Sequence, residues 1–166
     1  MEVRMTFQEY VSQRGHVLMR LAHVLTGGDA HAAQDLTQTT LVDVYRHWRR
    51  VRGAENSDAY VRRMMVNAHL RRLRLKSSAE IPAEAPADRG GTIADPADEV
   101  AARDETRRLL ARLPPRARTI LVLRYYADLD DNAIADLLRI SPSTVRATAS
   151  RALAGLRAAE VGNKHG

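Results

Sequence analysis

Apolar residues recur every three or four positions through the first half of the chain, a spacing that places them on one face of a helix. The capping box Thr6-Phe7-Gln8-Glu9 predicts the start of a first helix, and Gly27-Gly28 predicts its end. Asp29 is a candidate cap for a second helix that continues to Gly53, and Ser57 is one for a third. No segment shows the alternation typical of a strand, so this part is predicted to be helical.

The last third of the chain has the same helical periodicity, divided by shorter breaks. Asp95-Pro96 is predicted to begin one helix and Pro115 the next, since proline suits the first helical position. Asp130 is a candidate cap for a short helix. Arg139-Ile140 are predicted to form a tight turn after it, and Ser141-Pro142 to begin a longer helix. A short helix, a tight turn and a longer helix at this spacing predict a helix-turn-helix.

The stretch between these parts has a different composition. It contains almost no large apolar residue, is rich in Pro and Gly, and carries six acidic side chains against Arg89 alone between residues 79 and 99. Such a segment cannot bury enough surface to offset the entropy of ordering. We therefore predict an all-α protein in which two small helical domains are joined by a flexible acidic linker. The predicted boundaries are 1–78 for the first domain, 79–96 for the linker, 97–160 for the helix-turn-helix domain and 161–166 for a tail.

Composition narrows the classes of function. The 166 residues include 26 Lys plus Arg, 20 Asp plus Glu, six His and no Cys. Without Cys there is no disulfide framework or thiol nucleophile, and the sequence has neither a His-carboxylate ligand cluster nor a Gly-rich phosphate loop. We expect no metal, no cofactor, no small-molecule substrate and no catalysis. No apolar run suits a signal peptide or membrane insertion, so we expect a cytoplasmic protein, and its positive charge favours a polyanionic partner.

The longer helix of the predicted helix-turn-helix has a polar outer face. In such a unit the start of the second helix enters the major groove of duplex DNA. Arg146 is the main candidate for contact with a base or a phosphate, because its guanidinium can bind bidentately, and short hydroxyls suit phosphate oxygens. The predicted contacts are Ser143, Thr144, Arg146, Ser150 and Arg151.

Two features of the first domain suit single-stranded DNA. Arg63, Asn67, Arg71 and Arg74 are spaced by four, four and three residues, so they form one polar and basic helix face. Upstream, residues 45–52 mix aromatic with basic side chains, a combination that lets bases stack while Arg contacts phosphates. Trp48 belongs to this run but also continues an apolar stripe, so we assign it to the core first and to base stacking second.

The stretch that begins Leu113-Pro114-Pro115-Arg116 and continues to Leu129 closely resembles the fourth conserved region of bacterial sigma factors of the extracytoplasmic-function type, in the sigma-70 family. Thr144-Val145-Arg146 and residues 150–153 continue the resemblance. It implies that this domain recognises the minus-thirty-five promoter element. The turn residue that is usually Gly in the family is Arg139 here. The resemblance adds Arg116 and Arg118 to the predicted DNA contacts.

The first domain resembles the second conserved region of the same family. Residues 32–41 are similar to the segment that binds the coiled-coil clamp of core RNA polymerase, which implies a polymerase-binding role for Asp35, Leu36 and Gln38. Residues 60–68 are similar to the minus-ten recognition helix, in which an Asn at the position of Asn67 lies near a flipped base. The chain is therefore expected to bind core polymerase and to direct initiation by recognising minus-thirty-five duplex and melted minus-ten DNA. An anti-sigma protein is a further candidate partner.

Two other classes of protein share some of these features. A helix-turn-helix transcriptional regulator would pair the C-terminal unit with a ligand-binding domain, although the N-terminal part offers an Arg-rich face where such a domain needs an apolar pocket. A polymerase-binding adaptor without promoter-melting activity would present every surface predicted above. Both alternatives remain open on the sequence alone.

Overall fold

The computed structural model describes residues 4–78 and 99–164. Within them the chain forms eight α-helices and no strand, which confirms the predicted all-α class. The whole of the predicted linker, residues 79–96, lies outside the described residues, and so does the predicted Asp95-Pro96 cap at its end. The helices are α1 Phe7–Leu25, α2 Ala30–Arg46, α3 Trp48–Gly53, α4 Ser57–Ser78, α5 Glu99–Ala111, α6 Pro115–Tyr125, α7 Asp131–Leu138 and α8 Pro142–Asn163.

The first helix begins and ends where the sequence predicts. The Glu9 N–H donates to Thr6 Oγ1 over 3.2 Å, and the Thr6 N–H donates to Glu9 Oε2 over 2.8 Å, so the capping box closes in both directions. After Leu25 the chain turns through Gly27 and Gly28, whose φ angles of 69° and 86° suit residues without a Cβ.

The predicted continuous second helix is wrong, because the chain breaks at His47 between α2 and α3. His47 has φ −112° and ψ 24°, outside the helical range, while its N–H still donates to the Asp43 carbonyl over 3.1 Å. The apolar pattern conceals this break, since Val44 and Val51 are both fully buried and seven residues apart, as they would be on one continuous helix.

The start of α4 also differs in detail from the prediction. Asn56 is the cap, since its Oδ1 accepts from the Ala59 N–H over 3.0 Å. Ser57 is the first helical residue, and its hydroxyl donates to the Val51 carbonyl over 2.8 Å instead of capping the helix. Asn and Ser both make good caps, so two such neighbours leave the boundary ambiguous by one residue.

The two compact units are Met1–His23 with Ala30–Arg89, and Val24–Asp29 with Gly90–Gly166. In the first unit, α2 packs mainly against α4. The inner face of α4 includes Val61, Met65 and Ala68, which are buried, whereas Tyr60 is 38% exposed. The largest side chains of this core also include Leu36, Val44 and Val66.

The second unit contains the predicted helix-turn-helix. Asp130 Oδ1 accepts from the Ala133 N–H over 2.8 Å at the start of α7, and Ser141 Oγ accepts from the Thr144 N–H over 3.1 Å at the start of α8. Between them Arg139 adopts a left-handed conformation with φ 56° and ψ 47°. The core of this unit includes Ile120, Leu123, Ile134, Val145 and Ala149, and α8 continues beyond Glu160 to Asn163.

Candidate nucleic-acid and polymerase interfaces

The outer face of α8 is held in place by its buried face. Val145 and Ala149 are fully buried against the rest of the unit. Arg146 and Ser150 each follow one of them and are exposed, so their side chains point to solvent from a fixed helix. Of the residues predicted to contact minus-thirty-five DNA on α8, Ser143, Arg146, Ser150 and Arg151 are exposed and Thr144 is half-buried.

Three hydroxyls cluster at the start of α8. Ser141 Oγ lies 2.7 Å from Thr144 Oγ1 and 3.0 Å from Ser143 Oγ. Because Ser141 also accepts from the Thr144 N–H, Thr144 contributes to the helix cap. The cluster therefore fixes the first turn of α8, from which Ser143 and Arg146 project.

Arg116 and Arg118 lie two residues apart in α6 but in different environments. Arg116 is exposed, as a DNA contact requires. Arg118 is only 7% exposed, and burial lowers the pKa of its guanidinium. Within the second unit its Nε donates to the Leu25 carbonyl over 3.2 Å, and its Nη1 donates to the Ala111 and Leu113 carbonyls, each over 3.4 Å. The predicted DNA contact of Arg118 is therefore wrong, because its donors bind carbonyl oxygens inside the protein.

Helix α6 is joined to the helix-turn-helix by an ion pair. Arg124 Nη2 donates to Asp131 Oδ1, and this hydrogen bond raises the pKa of Arg124. Each side chain is about a quarter exposed, 26% for Arg124 and 25% for Asp131. The pair fixes the first turn of α7 against α6 and so supports the helix that precedes α8.

The predicted polar face of α4 is present. Arg63, Asn67, Arg71 and Arg74 are all exposed. Arg71 Nη2 lies 3.3 Å from Asp43 Oδ2 on α2, with the two side chains 60% and 26% exposed. Sequence reasoning missed Asp43, since a partner 28 residues away leaves no sign in local spacing. The face is thus oriented by a neighbouring helix.

Aromatic rings join α1 to the α2–α3 break. The Trp48 ring centroid lies 5.8 Å from that of Phe7 and 5.5 Å from that of Tyr10, and Trp48 is half-buried. This placement agrees with the first assignment of Trp48, to the core. Tyr45 packs edge-to-face on Phe7 at 5.2 Å yet is 66% exposed, so it is the more accessible ring.

The buried phenol of Tyr10 lies beside an ion pair between α1 and α4. Arg14 Nη2 is 3.1 Å from Asp58 Oδ2. Burial, reinforced by the negative charge of Asp58, raises the pKa of Tyr10 to about 12. Tyr10 is therefore neutral at physiological pH and part of the core.

The three residues predicted to bind polymerase divide between the surface and the core. Asp35 and Gln38 are exposed and lie three positions apart on α2, so both can reach one partner surface. Leu36 is fully buried. Its side chain packs in the core, and any contribution it makes to polymerase binding is through holding α2 in place.

Residues 4–78 and 99–164 contain no cluster of three or more His, Asp or Glu side chains suited to a metal ion. No helix among them is both long and apolar enough to span a membrane.

Comparison with known proteins agrees with this arrangement. Residues 7–78 match the family Sigma-70 region 2, and residues 103–156 match Sigma-70, region 4. The RNA polymerase sigma-E factor of Streptomyces avermitilis is 36% identical over 151 residues, covering 91% of this chain and 83% of that protein. The sigma-E factor of Streptomyces coelicolor is 35% identical over 155 residues, covering 91% of this chain and 84% of the other.

The fold is also similar to a solved sigma factor structure. The sigma factor RpoE from Bartonella quintana, solved in complex with the anti-sigma factor NepR, gives a TM-score of 0.61 at 19% identity, over 91% of this chain and 94% of that one. Together with the sequence matches, this shows that the chain belongs to the sigma-70 family, as a factor of the extracytoplasmic-function type. It is a promoter-recognising sigma factor that binds core RNA polymerase and promoter DNA, and neither alternative class is favoured.

Proposed function

We propose that this sigma factor divides promoter recognition between its two units. The outer face of α8 contacts the minus-thirty-five duplex, the polar face of α4 contacts the melted minus-ten strand, and the exposed part of α2 binds core polymerase. The observation that supports this proposal best is the position of Arg146, exposed on a helix whose other side is fixed by fully buried Val145 and Ala149.

On α8, different side chains suit different parts of the duplex. The guanidinium of Arg146 can donate to two acceptors of one guanine or to phosphate oxygens. Ser143, Ser150 and Arg151 suit phosphate contacts, which orient the protein without selecting a sequence. Arg116 on α6 adds a positive charge from a second helix, while Arg118 has no part in the surface.

On α4, the amide of Asn67 lies between two arginines in sequence, four residues from each. An amide both donates and accepts, so it can pair with the edge of an unstacked base, while Arg63, Arg71 and Arg74 neutralise the phosphates of that strand. Flipping a base costs a few kcal/mol, so these contacts must act together with those of the polymerase. We assign Trp48 a supporting role, because its ring packs on Phe7 and Tyr10.

On α2, Asp35 and Gln38 offer a carboxylate and an amide to a basic helical partner. A charged contact of this kind steers association with polymerase and fixes its register.

We also propose where this chain acts and which proteins it acts with. Polymerase supplies the chemistry and this chain has no catalytic activity of its own. We place its action in the cytoplasm, where it meets polymerase and DNA. An anti-sigma protein is a candidate regulator, since the Bartonella quintana sigma factor of similar fold was solved with one. The proposed domains are residues 1–78 and 97–160, joined by the linker 79–96.

Run-off transcription tests the proposal. Purified core polymerase and this protein are incubated with genomic fragments, and we expect transcripts that start at specific sites. Arg146→Ala should reduce promoter use about 5-fold or more while core affinity stays unchanged, since a bidentate base contact contributes about 1–3 kcal/mol. Stimulated transcription without specific starts would indicate the adaptor, and specific duplex binding without core polymerase would indicate the regulator.

A further inference from the structure

Arg139 lies in the turn of the helix-turn-helix, in a backbone conformation that suits a residue without a Cβ. Its φ of 56° and ψ of 47° are left-handed, and the Ile140 N–H donates to the Ala135 carbonyl over 3.1 Å. This hydrogen bond belongs to a common way of ending a helix, in which the left-handed residue is usually Gly. The turn is therefore made by the backbone alone and does not need the side chain of Arg139.

An arginine is an unusual residue for this conformation. Among residues 4–78 and 99–164, the non-glycine residues with positive φ are Asp128 and Arg139. Asp is one of the residue types that tolerate the left-handed region, whereas Arg is not. Residues held in disfavoured conformations cluster at functional sites. The conformation of Arg139 thus indicates that its side chain has a function outside the turn.

The side chain of Arg139 is exposed, and within the described residues its guanidinium forms no ion pair. Arg124 on the preceding helix, by contrast, pairs with Asp131. Arg139 is also the only basic residue between positions 125 and 145, a stretch that carries four Asp side chains. It is therefore the one group of this stretch whose charge attracts a phosphate.

The turn places Arg139 beside the helix proposed to contact the minus-thirty-five duplex. Ser141 caps α8 two residues further on, so the Cα atoms of Arg139 and Ser141 are at most about 7 Å apart. In a helix-turn-helix the second helix lies in the major groove while the first crosses the sugar-phosphate backbone. A cation at the junction of the two helices therefore lies at the edge of the groove, where the phosphates are.

We propose that Arg139 binds a backbone phosphate of the minus-thirty-five duplex and so positions α8 in the major groove. The planar guanidinium can donate two parallel hydrogen bonds to phosphate oxygens. Such a contact fixes orientation and register without selecting a sequence. The inference rests on the proposed duplex contact of α8 and adds a positioning residue outside that helix. It also accounts for an arginine where glycine would suit the backbone better.

The test compares two substitutions of Arg139 in the holoenzyme, by filter binding to a promoter fragment identified by run-off transcription. Arg139→Gly suits the backbone but removes the charge. We expect the dissociation constant to rise about 3- to 10-fold at low salt, and the slope of log K against log salt to become shallower by about 0.9, the value for one duplex phosphate. Arg139→Lys keeps the charge and should stay within about twofold of the wild type, with the same slope.

Arg112→Gln is the matched control. It removes an exposed arginine of the same unit that lines a groove with Ala159 and Glu160, near the other end of α8. Its salt slope should equal that of the wild type. A fragment with a substituted minus-thirty-five element separates the two kinds of contact. The loss in Arg139→Gly should be the same on both fragments, whereas the loss in Arg146→Ala should depend on the sequence.

A purely structural role of Arg139 predicts a different result, because glycine relieves the disfavoured turn. Arg139→Gly would then bind the promoter fragment with wild-type affinity and slope, which would overturn the inference. Equal losses in Arg139→Gly and Arg139→Lys would also overturn it, since the charge would not be their cause. So would a loss of affinity for core polymerase instead of DNA. If Arg146→Ala also binds the fragment like the wild type, the proposed function of α8 itself fails.

Discussion

Asp43 on α2 and Arg71 on α4 form an ion pair with 3.3 Å between Oδ2 and Nη2, although 28 residues separate them in sequence. Arg71 belongs to the face proposed to contact the minus-ten strand. The carboxylate therefore orients Arg71 and also places a negative charge next to a surface that must attract phosphates.

Asp43→Asn should strengthen the binding of holoenzyme to promoter DNA. Removing the carboxylate frees Arg71 from its ion pair to bind one more phosphate, so we expect affinity at low salt to increase about 2- to 5-fold and the dependence of log K on log salt to become steeper by about 0.7. Filter binding over a series of salt concentrations measures both quantities. In an Arg71→Ala background the same change should have little effect on the slope. If Asp43→Asn instead weakens promoter binding, then the orientation of Arg71 by Asp43 contributes more to binding than the negative charge of Asp43 costs.

Arg139→Gly should stabilise the second unit. Arg139 is left-handed at φ 56°, a conformation that a side chain with a Cβ disfavours and Gly adopts freely. We expect the free energy of unfolding to rise by about 0.5–1 kcal/mol in urea denaturation followed by circular dichroism. Asp128→Gly is the comparison, since Asp128 has φ 51° but Asp tolerates this region better. An equal gain at both positions would contradict the strain argument.

Arg118→Met should destabilise the second unit although it removes only one charge. The substitution leaves the carbonyls of Ala111, Leu113 and Leu25 without their donor, and unsatisfied buried acceptors cost about 1–3 kcal/mol. Arg116→Met is the matched control on the same helix, and its exposed position predicts a change within about 0.5 kcal/mol. Urea denaturation distinguishes the two. Equal stability of the two variants would show that the buried hydrogen bonds of Arg118 contribute nothing net.

Tyr10 should ionise at a higher pH than an unperturbed tyrosine. Its pKa is about 12 in the folded protein and about 10 in the unfolded chain, so only the unfolded state releases this proton between these values. Tyr10 therefore stabilises the fold fully below pH 10, and this contribution is lost as the pH rises from about 10 through about 12. When tyrosinate absorbance is titrated against pH, one component of the rise should appear above pH 10, and Tyr10→Phe should remove it. A late component that persists in this variant would belong to another tyrosine.

The helices and most of their caps follow from local sequence, because capping hydroxyls, carboxylates and glycines act within one turn. The break at His47 does not, since Val44 and Val51 keep the period of an uninterrupted helix. The exposed arginines of α4 and α8 were identified from spacing alone. The prediction for Arg118 is wrong because every residue of α6 from Ala117 to Leu123 is buried, on all sides of the helix. The positive charge of an arginine does not by itself show whether the side chain is buried or exposed. Its partner carbonyls exist only in the folded chain.

The geometry of α2 has a consequence for genetics. One side of this helix carries Asp35 and Gln38, which are proposed to bind polymerase, and another carries Asp43, which pairs with Arg71. A strain weakened by a substitution at Arg71 could regain growth through second-site changes on α2, a helix that sequence comparison would assign to polymerase binding alone. Selection for such suppressors should recover changes at or next to Asp43. Alleles of this one helix are therefore expected to fall into two groups, one suppressing promoter defects and the other suppressing polymerase defects.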